Sequence, residues 1–266
     1  NFSKINFQIL TIISVLISEL FNIQIKFIVY FLTIFGNVLF YLIFYIFSKL
    51  ILKSSEKSFF TLITFIAFGI TYNNLSIMGT DGAIQVFPDT NIYAWSLILL
   101  STFFLIKKNF NFALITLALL PFIHIGHFFL FSLSVVSFFI FNFLMKKNYI
   151  SFYYLFIYSL FCIFIVLLFK DFEVVKDFSD YEMFFFDYLK DTVGHANPLL
   201  YESIFPKVLI SYIAVVSFAY LGALHLFTKN QFIYEYKIII LISLFYSFFL
   251  FLLSIIIPFY NITLLS

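Results

Sequence analysis

Residues 27–48, 148–169 and 208–228 each run for more than twenty positions without a charged side chain. About 20 apolar residues are enough for a helix to cross the ~30 Å hydrocarbon core of a bilayer. Lipid offers no water to bond the backbone, so runs of this kind satisfy their amides internally, as helices. The balance of the 266 residues points the same way: 64% are hydrophobic and 11% charged, where a soluble domain carries about 25% charged residues. There are too few charges to coat a water-facing body of this size. The expected fold is all-α, a polytopic transmembrane helix bundle forming one domain over residues 1–266.

About nine spans are expected: Phe7–Ile23, Phe27–Leu52, Phe59–Met78, Ile92–Ile106, Phe110–Phe122, Ile125–Met145, Ile150–Phe169, Val208–Phe227 and Ile238–Phe259. The fourth and fifth are short and are expected to tilt or to lean on longer neighbours. The chain begins with Asn1 and ends in an apolar stretch, which leads us to expect a piece of a longer protein.

Lysines set the orientation. Lys49, Lys53 and Lys57 follow the second span, Lys107 and Lys108 the fourth, Lys146 and Lys147 the sixth, and Lys229 and Lys237 flank the loop after the eighth. These are alternate loops, and cytoplasmic loops carry the excess of cations. The long loop at 170–207 is the reverse case, with four Lys against eight acidic residues. The amino terminus is therefore expected in the cytoplasm and the 170–207 loop outside, in a bacterial-type cytoplasmic membrane. Within that loop Ser179 and Glu182 have capping-box spacing. The apolar helix expected after them is too short to span and suits the outer interface.

The unusual polar residues collect on the outer side of this layout. Asp81 and Asp89 lie in one outer segment, His124 and His127 at one outer turn, and Asp187, Lys190, Asp191, His195, Asn197 and Lys207 in the long loop. Glu19 sits near the end of the first span. His124 and His127 are three apart, so a continuing helix would put them on one face. They could ligate a divalent metal if a third ligand came from elsewhere. A carboxylate beside a His can serve as a general base. For each of these residues a structural role in a turn, a solvated face or a boundary is the competing explanation.

Other chemistry is not signalled. Cys162 is the single cysteine and sits in an apolar run, so neither a disulfide framework nor a thiolate metal site is expected. There is no phosphate-binding glycine loop, GxSxG, HExxH or paired CxxC. The formal net charge of +2 implies no nucleic-acid partner.

Two stretches carry a resemblance. Phe87–Phe131, FPDTNIYAWSLILLSTFFLIKKNFNFALITLALLPFIHIGHFFLF, has an aromatic-Pro pair, a span, a basic turn, a second span, then His. Gly194–Leu209, GHANPLLYESIFPKVL, is a His- and Pro-containing segment before a late span. Together, about a quarter of the chain resembles bacterial membrane proteins of the glycosyltransferase-C superfamily. The resemblance implies an outer pocket where a sugar passes from a polyprenyl-phosphate carrier to an acceptor. It also implies a carboxylate (Asp81, Asp89 or Glu19) as base, and His124, His127, His195, Asn197, Lys190 and Lys207 on the phosphate leaving group. The chain departs from that pattern in having no Arg, in Ile125 where Pro is expected, and in Asp89 where Arg is common. The alternatives are a surface-polysaccharide polymerase or ligase, and a transporter or non-catalytic membrane scaffold.

Overall fold

A computed structural model describes residues 9–71, 90–146 and 149–168, together with 217, 220–222, 241–242, 245–246 and 249. Among the described residues the protein is all-helical, without strands. The elements are α1 (Ile9–Phe21), α2 (Ile25–Leu52), α3 (Ser55–Thr71), α4 (Thr90–Ile106), α5 (Phe110–Ile123), α6 (Ile125–Lys146) and α7 (Tyr149–Leu168). Three are long and apolar enough to cross a membrane: α2, residues Ile125–Leu144 of α6, and α7. The first seven expected segments overlap α1 to α7; α1, α4 and α5 are shorter apolar helices of 13, 17 and 14 residues, and residues 72–78 of the third segment lie outside the described residues. In the eighth and ninth, the described residues are helical. The 170–207 loop and its expected interfacial helix lie outside the described residues.

Helix ends are set by local chemistry. Ser54 precedes α3, its Oγ accepts from the Lys57 N–H at 3.3 Å, and its carbonyl accepts from the Ser58 N–H. That N-cap starts α3 four residues before the Phe59 expected from hydropathy alone. Lys53 ends α2 in the left-handed region (φ 50°), with its N–H on the Lys49 carbonyl. After α4, Lys108 is again left-handed (φ 59°). Asn109 N–H reaches Phe104 O and Lys108 N–H reaches Leu105 O, the paired bonds of a Schellman motif. Pro121 lies inside α5 and has no N–H to give, so the last turn of that helix is weakened just before it ends.

Helices joined by these short turns pack antiparallel. Across α6 and α7, Phe143 meets Phe152, Phe139 meets Tyr154, and Phe128 meets Phe161, in opposite chain directions. Ser101 Oγ donates to the Ala113 carbonyl across α4 and α5, and Tyr154 Oη donates to Asn111 across α7 and α5. The α4 helix is central. Ala94, Ser96 and Ser101 are almost fully buried on it, and Ala113 faces it from α5. Small residues of this kind let helices approach closely, which is how helices associate in lipid where burial alone gives no driving force. Gly36 plays the same part for α2, since a Cβ there would lie 2.9 Å from the Tyr93 ring. Tyr93 Oη in turn donates to the Leu32 carbonyl.

Polarity is sorted by depth. Every described Lys, Asp or Glu lies within about a turn of a helix end or in a turn. Besides the hydroxyls of Tyr93 and Tyr158, the buried polar side chains among the described residues are Ser, Thr and Asn. Most bond back to their own helix, as Thr33 does to Val29, Ser96 to Ile92 and Thr102 to Ile98. On the outside, α2 presents Phe27, Phe31, Ile34, Val38, Leu42 and Ile46 as one exposed apolar stripe. At 1.5 Å per residue that stripe is about 28 Å long, close to the hydrocarbon thickness of a bilayer. An exposed surface this apolar is compatible with an integral membrane protein.

Candidate functional site

The α5–α6 joint is a single residue, His124, in extended conformation (φ −152°, ψ 101°). Its N–H donates to the Leu120 carbonyl at 2.8 Å and so closes α5. Its carbonyl accepts from the Phe128 N–H and its Nδ1 accepts from the His127 N–H at 3.2 Å, so it also caps α6. An N-cap acceptor satisfies one of the orphan amides of a helix start. Because Nδ1 accepts, the ring proton of the neutral imidazole is assigned to Nε2.

The cap also brings the two histidines together. The imidazoles of His124 and His127 stack with centroids 4.1 Å apart and planes 17° from parallel. A continuing helix would have aligned them on one face. Instead the helix breaks at His124, and the rings meet because the cap and the third residue after it share one turn. Both residues are half-buried. Gly126 lies beneath them, and a Cβ there would sit 3.3 Å from the His124 ring.

Trp95, in the first turns of α4, completes the cluster. Its ring lies 5.2 Å from that of His127, tilted by 55°, and the residue is 45% exposed. The neighbouring Tyr93 and Ile92 pack against Ile123, Leu39 and Phe40, which fixes the start of α4 against α2 and the end of α5. Sequence reasoning singled out the histidines and missed Trp95. The available signal was an aromatic with a polar handle near the start of a span, a position where Trp is enriched in membrane helices.

Alternation of helix direction gives this cluster a definite end. The end of α1, the start of α2, the start of α4 and the α5–α6 joint share it. The turns holding Lys49, Lys53, Lys57, Lys107 and Lys108 share the other, as does Lys146 at the close of α6. Glu19 is exposed on α1, and among the described residues no hydrogen bond or ion pair joins it to the His pair. Asp81, Asp89, Lys190, His195, Asn197 and Lys207 lie outside the described residues. Among the described residues no group of three or more His, Cys, Asp or Glu gathers to hold a metal ion.

What the cluster offers is a stacked imidazole pair, in which the Nε2 of His127 is buried, beside a partly exposed indole face. Such a surface can hydrogen-bond an anionic oxygen and stack on the apolar face of a sugar or an isoprenoid unit. No family model matches the chain, and no curated protein or solved structure is similar to it at a significant level.

Proposed function

We propose that this chain is a nine-span membrane glycosyltransferase that takes a sugar from a polyprenyl-phosphate carrier at the outer face of the membrane. The observation that carries the reading is the meeting of His124, His127 and Trp95 at one end of the bundle, away from the basic turns. With the basic turns in the cytoplasm, the cluster and the 170–207 loop face outward. A carboxylate (Asp81, Asp89 or Glu19) takes the proton of the acceptor hydroxyl. The acceptor oxygen bonds to the anomeric carbon, and the bond from that carbon to the phosphate oxygen breaks. The phosphate leaves with the electron pair. His124 and His127, with His195, Asn197, Lys190 and Lys207 from the long loop, hydrogen-bond the charge that develops on it. Trp95 stacks on the sugar.

The interior supports an enzyme at the membrane surface over a transporter. Ion and proton paths use charged side chains facing the bundle interior, and among the described residues no Lys, Asp or Glu is buried: the buried polar groups are Ser, Thr and Asn, the hydroxyls of Tyr41, Tyr93 and Tyr158, and the Nε2 of His127. A non-catalytic scaffold is favoured by one fact, that the His124 ring already has a structural task as a helix cap. The two readings separate on binding of a polyprenyl-phosphate sugar to the protein in lipid nanodiscs. The transferase reading predicts saturable binding that Trp95→Ala weakens at least tenfold and that His124→Asn weakens while keeping the cap. No binding by folded protein, or binding untouched by both variants, would favour the scaffold.

A further inference from the structure

Toward the opposite end of the bundle, α2 and α3 border a shallow, open groove of about 470 Å³ lined by Phe44, Phe60, Thr61, Thr64 and Phe65. Its floor is the stacked pair Phe44 and Phe65, with centroids 4.8 Å apart, backed by Phe40 at 5.9 Å from Phe65. Of its two threonines, Thr61 spends its hydroxyl proton on the Lys57 carbonyl. Phe60 and Phe65 lie five and ten residues into α3, so the groove runs from about 7 to 15 Å below the start of that helix. That is the depth of the upper acyl chain within one leaflet.

The mouth of the groove is basic. Lys57 precedes Phe60, Thr61 and Thr64 by three, four and seven positions, so helical register puts it on the groove's face of α3. Lys53, in the left-handed turn, and Lys49, in the last turn of α2, are exposed at the same end of the helix pair. Glu56 is the one acidic residue at this turn, leaving the α2–α3 turn cationic. An aromatic slot at acyl-chain depth below a lysine cluster at headgroup height matches one ligand chemistry, a lipid with an anionic head.

We propose that the α2–α3 groove is a binding site for an anionic phospholipid, with one acyl chain on Phe44, Phe60 and Phe65 and the phosphate at Lys53 and Lys57. The reading is independent of the His–Trp cluster, which lies at the other end. The test moves the single tryptophan of the chain into the groove. A protein carrying Trp95→Phe and Phe60→Trp is reconstituted in phosphatidylcholine vesicles. Brominated-chain phosphatidylglycerol is then compared with brominated-chain phosphatidylcholine as a quencher of the introduced indole's fluorescence.

The anionic lipid is expected to be preferred at least fivefold, each lysine near the surface being worth about fivefold in affinity. Lys53→Gln with Lys57→Gln is expected to bring the ratio close to one, and Lys26→Gln, at the far end of α2, to leave it unchanged. Equal quenching by the two lipids would overturn the site, and so would a preference that survives loss of both lysines. Should the tryptophan variant not fold, native mass spectrometry of the wild-type chain gives the same decision. Retained phosphatidylglycerol lost on Lys53→Gln with Lys57→Gln supports the site; equal retention of phosphatidylcholine contradicts it.

Discussion

His124 carries two tasks at once, and substitution can separate them. Alanine removes the cap acceptor together with the ring, and loss of an N-cap costs about 1 kcal/mol. Asparagine is among the strongest N-cap residues and keeps an acceptor near the His127 N–H, but it has no imidazole. His124→Ala should therefore lower both stability and donor binding, and His124→Asn should lower binding alone. Reversible denaturation in mixed micelles, run beside the nanodisc binding measurement, checks both. A second prediction concerns Lys108. A non-glycine residue in the left-handed region is strained by about 1 kcal/mol, so Lys108→Gly should raise stability by about that amount in the same assay. A null or negative change would mean that Lys108 contributes interactions larger than its backbone strain. At this scale the sequence identified the histidines but not how they meet. Histidine is an uncommon N-cap, and no periodicity announces that a helix will break and restart on one residue. Asp81, Asp89 and His195 were equally visible in the sequence and lie outside the described residues.

Two contacts between helices set how the bundle holds the site. Gly36 leaves room for Tyr93, whose ring would be met at 2.9 Å by any added Cβ. Gly36→Ala should therefore destabilise by about 1–3 kcal/mol through overpacking, and should also reduce donor binding, because the start of α4 carries Trp95. Tyr93→Leu should offset part of the loss, and a double-mutant cycle measures the coupling. Between α6 and α7, Ser132 Oγ and Tyr158 Oη bond at 2.6 Å, and Ser132 also bonds to the Phe128 carbonyl. Ser132→Ala leaves a buried phenol without that partner, a loss of about 1–3 kcal/mol. Adding Tyr158→Phe should recover much of it, which denaturation of the two variants would test. Helix existence was legible from the long uncharged runs, and their ends from lysines and polar turn residues. Ser54 carried the signal for the early start of α3, which hydropathy alone does not register. The Gly36–Tyr93 and Ser132–Tyr158 contacts were not legible, because each joins residues far apart in the chain.

For the molecule as a whole, one physical sorting explains most of what is seen. Among the described residues, charges sit at the ends of helices, hydroxyl side chains inside bond mainly to backbone, and large apolar side chains cover the outside of α2 and α7. Composition made this arrangement legible at once, since no other arrangement of so few charges satisfies both solvent and backbone. Orientation rests on the lysine turns. It also decides which leaflet supplies the proposed anionic lipid and which face meets the proposed sugar donor.

The direct test of that frame is thiol labelling in intact bacterial cells with a membrane-impermeant maleimide. Cys162 is replaced by Ser, and a single cysteine is introduced at Gln24, between α1 and α2, or at Asn109, between α4 and α5. Both positions are exposed and lie in turns at opposite ends of the bundle. The account predicts that Gln24→Cys reacts in intact cells and that Asn109→Cys reacts only after permeabilisation. Labelling of both from the same side would contradict the membrane-spanning arrangement. The reverse pattern would put the His–Trp cluster in the cytoplasm and contradict an outer-face transferase.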